Sequence, residues 1–129
     1  MPDLAGLVNL EVLELPEAQL RDEDLAALDR LSRLRHFDFD AHLLTDAGID
    51  ALCRFADLQF VNLDGSQVSD AGLAKLSHLG QLSRLNLRGT PITDVGLSHL
   101  AQLSKLEFLD LGETAITDAG SSCLAEFTQ

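Results

Sequence analysis

Three aspartates and one histidine come nearest to a chemical site in this 129-residue sequence. Asp38 and Asp40 stand two residues apart, so on a strand both side chains point to one face, and Asp64 follows Asp40 by 24 residues. Three carboxylates placed in this way could bind a divalent cation. His36 precedes Asp38 by two residues, but no Ser or Cys with suitable neighbours completes a nucleophilic triad.

The other histidines and the glycines carry no recognisable catalytic motif. His42, His78 and His99 lack the paired spacing of metal ligands. Four glycines recur every 24 residues and belong to a repeat, not to a nucleotide-binding loop. They are Gly48, Gly72, Gly96 and Gly120. We therefore expect no enzyme activity, no metal and no cofactor, and keep a metal-binding or enzymatic domain at the three aspartates as the alternative.

The elements that must position these residues follow from one apolar template with a period of 24 residues. Each copy begins L-x-x-φ-x-φ, where φ is Leu, Val or Phe. The five copies start at Leu10, Leu34, Leu58, Leu82 and Leu106. The last two apolar positions alternate with polar ones, as in a strand buried on one face. We predict parallel strands near residues 11–15, 35–39, 59–63, 83–87 and 107–111.

The second half of each copy indicates a short helix, because in residues 93–103 apolar residues recur at intervals of three. The position just before each of the last four predicted helices, where an N-cap residue is expected, is occupied by Thr45, Ser69, Thr93 and Thr117. An aspartate occupies the next position of every copy: Asp22, Asp46, Asp70, Asp94 and Asp118. We interpret these aspartates as helix-capping residues whose charge complements the helix dipole, in preference to a calcium-binding ladder.

These copies resemble leucine-rich repeats, and Leu-x-x-Leu-x-Leu-x-x-Thr-x-Ile-Thr-Asp-x-Gly-Leu is similar to the 24-residue kind common in bacterial repeat proteins. The resemblance covers residues 10–129. It implies an α/β fold: a right-handed solenoid with a parallel β-sheet on the concave face and short helices on the convex face. The family's usual Asn after the strand is replaced by Ala18, His42, Ser66, Thr90 and Thr114. That Asn bonds the neighbouring coil's backbone, so we expect the hydroxyls of Ser66, Thr90 and Thr114 to do so here.

One domain of five repeats accounts for the length and the 46% hydrophobic content of the chain. We expect a partial N-terminal helical cap at residues 1–9. The repeats follow at residues 10–33, 34–57, 58–81, 82–105 and 106–129. Both terminal copies are atypical, so we favour an array that is complete or nearly so. An excerpt of a larger repeat-containing adaptor or effector is the alternative, and exposed end strands could allow end-to-end self-association.

Composition narrows the class of partner and the compartment. Nine Lys and Arg against 21 Asp and Glu give a net charge of −12, which argues against nucleic acid and against anionic membranes. The sequence shows neither a signal-peptide pattern nor an apolar stretch long enough to span a bilayer. Cys53 and Cys123 lie three coils apart, too far for a disulfide. We therefore expect a soluble cytoplasmic protein.

The concave face, formed by strand residues that alternate with the buried ones, is the usual binding surface of such solenoids. One column along it is Val12, His36, Phe60, Arg84 and Phe108, and the next is Glu14, Asp38, Asn62, Asn86 and Asp110. We expect Phe60 and Phe108 to point into solvent and to anchor a partner within an acidic surround. The alternative is that both phenylalanines only cover the sheet and bind no partner. The predicted partner-binding residues are His36, Asp38, Phe60, Asn62, Arg84, Phe108 and Asp110, and the expected partner is a protein, for which a basic segment is an option.

Overall fold

Five parallel strands in consecutive order line one side of the computed structural model, which describes residues 7–117. They are β1 (Val12–Gln19), β2 (His36–Asp40), β3 (Phe60–Asn62), β4 (Arg84–Asn86) and β5 (Phe108–Asp110). Residues 24 apart pair directly, as Phe60 does with Arg84 and Arg84 with Phe108. The period of the sequence is therefore the register of the sheet, and each repeat adds one coil to a solenoid.

A helix follows each of the first four strands, as predicted. The helices are α1 (Asp22–Ala26), α2 (Asp46–Leu52), α3 (Asp70–Leu76) and α4 (Asp94–His99), and the last continues into a 3-10 helix at Leu100–Gln102. Thr45 and Thr93 cap their helices by accepting the N–H groups of Ala47 and Val95 at 3.3 Å. The expected fifth helix, Asp118 and Cys123 fall outside the described residues. Within residues 7–117, no helix is long and apolar enough to cross a membrane.

The first strand is longer than the predicted residues 11–15. It pairs with β2 up to Leu15 and again at Gln19, with a shift of register between these two residues. In the third and fourth coils the chain turns out of the sheet where Gly65 and Gly89 adopt a φ of 70°. Glu17 stands at the equivalent position of the first coil and does not take a positive φ, so the extended chain continues.

The core is a continuous stack of the template leucines. Leu34, Leu58 and Leu82 are completely buried, and the strand residue Leu85 is buried to the same degree. Phe37, Phe39 and Phe55 pack together near the first two coils, with ring centroids 4.5 and 6.1 Å apart. Because the alternate strand residues face this core, the residues between them must project from the concave face.

The prediction that hydroxyl groups replace the family's Asn by bonding the neighbouring coil is wrong. Thr90 Oγ1 donates to the Leu87 carbonyl and Thr114 Oγ1 to the Leu111 carbonyl, both at 2.7 Å and both within their own coil. Ser66 Oγ is buried and has no hydrogen-bond partner among the described residues. A hydroxyl on the β-carbon is shorter than an amide side chain, so it reaches only its own turn.

The repeated aspartates join the coils, a role that goes beyond the capping predicted for them. Asp22 accepts both the N–H and the hydroxyl of Thr45, at 2.9 and 2.5 Å. The same double contact joins Asp46 to Ser69, Asp70 to Thr93 and Asp94 to Thr117. Each aspartate thus holds the N-cap residue of the following coil.

The glycine of the Thr-Asp-x-Gly signature belongs to the same contact. A Cβ atom at Gly72 would collide with Oδ1 of Asp46, and one at Gly96 with Oδ1 of Asp70. The signature therefore specifies a fit between neighbouring coils, in which the glycine leaves room for the aspartate of the preceding coil. In the first coil Arg21 and Asp24 take the Thr and Gly positions, and Asp24 instead accepts the N–H of Arg21 at 2.9 Å.

Candidate functional site

A row of stacked side chains crosses the concave face from β2 to β5. The rings of His36 and Phe60 stack with centroids 4.5 Å apart at 27°. The guanidinium carbon of Arg84 lies 5.6 Å from the centre of the Phe60 ring and 5.4 Å from that of Phe108. The register places these residues side by side, and the structure brings them into contact as one unit. We call His36, Phe60, Arg84 and Phe108 the aromatic row.

The two phenylalanines differ in exposure. Phe108 is 46% exposed, in agreement with the expectation that it points into solvent. Phe60 is half-buried, because His36 covers one side of its ring and Arg84 the other. Val12, 54% exposed, extends the same column onto β1. The apolar surface offered to a partner is therefore concentrated at the two ends of the column.

Arg84 makes the row a preorganised platform. A guanidinium over an aromatic face contributes about 0.5–1 kcal/mol at an exposed site, and a stacked ring pair contributes a similar amount. Arg84 makes this contact twice, so its side chain is held between two rings. Side chains that are ordered before binding lose less conformational entropy when a partner arrives. The sequence placed Arg84 in this column but gave no sign that it links the two rings.

The second column has structural roles that the sequence analysis missed. Oδ1 of Asn62 accepts the N–H of Asp64 at 3.1 Å, and Oδ1 of Asp110 accepts the N–H of Gly112 at 2.9 Å. The amide of Asn62 also donates to Asp38 at 3.0 Å. These are side-chain turns that end the strands. An Asn or Asp at one fixed position of the second to fifth repeats was the signal that could have revealed them.

A second short contact lies where β2 ends. Oδ1 of Asp40 is 2.5 Å from Nδ1 of His42 and accepts the backbone N–H of the same residue at 3.0 Å. The hydrogen bond from the His42 side chain lowers the pKa of Asp40. The same bond raises the pKa of the exposed His42, and the negative charge of Asp40 acts in the same direction. Asp40 is thus engaged by the side chain and the backbone of His42.

The alternative of a cation site at Asp38, Asp40 and Asp64 finds no support in this arrangement. Asp38 is bonded to Asn62 and Asp40 to His42. No group of three or more His, Cys, Asp or Glu side chains within residues 7–117 is arranged to hold a metal ion. Arg88, which follows Asp64 by 24 residues, has its guanidinium 2.9 Å from Glu113 of the following coil. The absence of a bound metal stays a prediction.

Acidic side chains outnumber basic ones on and beside the concave face. The acids are Glu11, Glu14, Glu17, Asp38, Asp40, Asp64, Glu107, Asp110 and Glu113, and the bases are Arg35, Arg84 and Arg88. Glu14 also approaches His36, with 3.3 Å between carboxylate oxygen and Nε2. Two of the three bases are occupied, since Arg84 lies within the aromatic row and Arg88 pairs with Glu113. The aromatic row is therefore surrounded by net negative charge.

Comparison with known proteins identifies the architecture. The model of the family described as Leucine Rich repeat matches residues 82–101 and 102–125. No curated protein matches the chain. Internalin C2 (inlC2) from Listeria monocytogenes is similar in structure, with a TM-score of 0.74 and 25% identity over 96% of this chain and 50% of that chain. The internalin inlF of the same organism gives a TM-score of 0.56 and 20% identity over 97% and 47%.

The parallel sheet of five strands and the short helices define an α/β repeat solenoid. Its repeats are leucine-rich repeats, and the chain is a leucine-rich-repeat protein. It spans about half the length of the internalins that it matches. Leucine-rich-repeat folds are in general scaffolds that bind protein partners and not enzymes.

Proposed function

We propose that this leucine-rich-repeat protein is an interaction module whose partner binds across the aromatic row of the concave face. The repeat family and the internalin-like fold support a protein-interaction module. The observation that carries the choice of face is the row itself: two rings joined by one guanidinium. Aromatic residues and arginine are the residue types that dominate interface hot spots.

The charge around the row supports a partner with a basic segment. Exposed carboxylates at Glu14 and Glu107 lie near opposite ends of the row, whereas Asn62 and Asn86 flank its middle. Such rim charges mainly accelerate encounter and select the sign of the partner, while the apolar anchors hold it. An extended or helical segment with apolar residues at its centre and Lys or Arg at its ends matches this pattern.

End-to-end self-association is the second candidate, favoured by the exposure of Val12 on the edge strand β1 and of Leu7 and Val8, which precede that strand in sequence. Charge opposes it. If β5 of one copy continued the register onto β1 of another, Asp110 would face Glu14 and carboxylates would be juxtaposed. We therefore place binding of a different protein first.

We also propose a cytoplasmic location and a partner that is neither nucleic acid nor membrane. Cys53 is a half-buried free thiol, which fits a reducing compartment. Burial raises the pKa of this thiol, so Cys53 is a poor nucleophile. The net charge of −12 is unfavourable for polyanions.

A pull-down from a lysate of the source cells, followed by mass spectrometry, tests the proposed face. The immobilised wild type is compared with the double variant Phe60→Ala/Phe108→Ala. Val95→Ala is the matched control, because Val95 is 65% exposed on the convex helix α4. We expect the captured partner to be lost with the double variant and kept with the control. Capture that survives the double variant but is lost on changing convex residues such as Lys75 and His99 would contradict the proposal.

A further inference from the structure

The basic residues of this acidic protein gather on a second surface, where the chain turns from the helices back to the strands. Each of the first four coils makes two consecutive turns there. The N–H of Leu31 donates to the Leu28 carbonyl and that of Leu34 to the Leu31 carbonyl, at 3.0 and 3.1 Å. The next coil repeats both turns at residues 52–55 and 55–58, at 3.0 and 2.9 Å. The donors are buried, so the residue just before each donor projects into solvent.

These projecting positions form two columns along one flank of the solenoid. The first column is Arg30, Arg54, His78 and Gln102, and the second is Arg33, Asp57, Gln81 and Lys105; all eight are exposed. Arg35 follows at the entrance to β2 and is exposed as well. Three of the nine Lys and Arg residues of the chain therefore lie on neighbouring turns of the first two coils, and Arg35 is the fourth basic residue close to them in sequence.

The positive charge of these turns is largely unpaired. Within residues 7–117, the side chains of Arg30, Arg33 and Arg35 make no hydrogen bond or ion pair. Arg54 lies 3.8 Å from Asp29, at the outer limit of an ion pair. By comparison, Lys75 lies 3.1 Å from Asp50 and Arg88 lies 2.9 Å from Glu113.

We propose that Arg30, Arg33, Arg35 and Arg54, here called the arginine patch, bind an acidic segment of a protein partner. A guanidinium group binds carboxylates through paired N–H donors and is weakly hydrated, so it suits this contact better than lysine. Arg30, Arg33 and Arg54 lie on turns at a flank of the first two coils, whereas Arg35 lies at the start of β2, where its carbonyl accepts the N–H of Phe60 at 3.0 Å. The arginine patch would give the module a second surface for a partner of opposite charge.

The arrangement favours a segment with several carboxylates over one compact anion. Arg30 and Arg33 stand on successive turn tips, and Arg54 takes the position of Arg30 on the next coil. Side chains on separate tips spread their charge along the flank, as an extended chain spreads its carboxylates. Electrostatic screening limits the reach of the remaining charges to about 8 Å at physiological salt. A short acidic segment therefore meets the local positive charge, whereas a long polyanion also meets the net charge of −12.

Fluorescence anisotropy with the whole chain and a labelled oligoglutamate peptide of about ten residues tests the proposal. Arg30→Gln/Arg33→Gln is compared with Lys75→Gln/Arg88→Gln, which removes the same charge elsewhere. We expect the patch variant to weaken binding at least tenfold, the control to stay within about twofold of wild type, and binding to weaken as salt rises. Equal losses in both variants, or no binding by wild type at low salt, would overturn the proposal.

Three further measurements test whether the acidic peptide binds elsewhere, and whether another polyanion or a second copy of the protein binds the arginine patch instead. Phe60→Ala/Phe108→Ala should bind the peptide like wild type, and a loss there would move the acidic segment to the concave face. Patch-dependent binding of a single-stranded oligonucleotide or of anionic vesicles more tightly than the peptide would replace the acidic segment by another polyanion. Sedimentation of the protein alone should show no patch-dependent association, because such association would make the occupant a second copy.

Discussion

Asp70 accepts two hydrogen bonds from Thr93 of the following coil, one from the backbone N–H at 2.8 Å and one from the hydroxyl at 2.5 Å. Both residues are partly buried. A carboxylate that receives two donors at once is a strong acceptor, and this pair recurs at each described coil boundary. The stability of the solenoid therefore depends on bonds between coils as well as on its leucine core.

The first prediction concerns this bond. Asp70→Ala removes both acceptors and leaves the N–H and the hydroxyl of Thr93 partly buried, which should lower the free energy of unfolding by about 1–3 kcal/mol. Urea denaturation measures the change. Asp57→Ala, at an exposed turn, is the matched control and should stay within about 0.5 kcal/mol of wild type. Equal stability of the two variants would show that the contact contributes nothing.

Two glycine substitutions of opposite expected sign test the fit between coils. An added Cβ at Gly96 meets Oδ1 of Asp70 and a Leu73 methyl carbon, so Gly96→Ala should destabilise the fold by about 1–3 kcal/mol. At Gly80 an added Cβ meets nothing within 4 Å, so Gly80→Ala should be neutral or stabilise by up to about 1 kcal/mol. Thermal denaturation compares them, and combining Gly96→Ala with Asp70→Ala should cost less than the sum of the single changes.

The leucine core gives a third prediction. Leu85 is completely buried in the central strands, so Leu85→Ala should reduce the free energy of unfolding by about 2–5 kcal/mol. Chemical denaturation gives this difference directly. A loss below about 0.5 kcal/mol would mean that the Leu85 side chain is not buried and that β4 does not direct it into the core.

The contact between Asp40 and His42 predicts a pH dependence. The raised pKa of His42 means that its contribution is present below the unfolded value of 6.5 and is lost as pH rises through the folded value. The lowered pKa of Asp40 means that its contribution is present above the unfolded value of 3.8 and is lost as pH falls through the folded value. The contact should therefore stabilise the folded protein most between pH 3.8 and pH 6.5, the unfolded pKa values of Asp40 and His42.

NMR titration of the His42 ring tests the same contact by residue. Asp40→Asn should lower the pKa of His42, because it removes the hydrogen bond and the charge that raise it. Asp57→Asn removes an equal charge at a remote turn and should leave the His42 titration unchanged. An unaltered titration in Asp40→Asn would contradict the assignment of cause.

The last prediction concerns the aromatic row. For a partner identified by capture, alanine at Phe60 or at Phe108 should raise the dissociation constant about tenfold or more, the loss of a hot spot worth at least about 1.4 kcal/mol. Glu14→Gln should mainly slow association and reduce its salt dependence. Surface plasmon resonance separates the two effects. Affinity unaffected by both phenylalanine substitutions would exclude the row as the binding site.

Much of the architecture could be predicted from periodicity. A 24-residue repeat with alternating apolar positions fixes which strand residues face the core, and the buried Leu85 and the exposed Phe108 both follow from it. The same period gives the register of the sheet. The sequence alone therefore predicts that His36, Phe60, Arg84 and Phe108 lie in one column. These features depend only on the spacing along one chain and on the tendency of apolar side chains to leave water.

The contacts between coils could not be predicted in this way. The bonds from Thr93 to Asp70, the position of Arg84 between two rings and the extension of β1 to Gln19 all depend on how side chains meet across neighbouring coils. The period states which residues are neighbours, but it does not state which acceptor a donor reaches. That choice depends on side-chain length and on the distance between coils, as the Thr90 hydroxyl shows by turning back to the Leu87 carbonyl of its own coil.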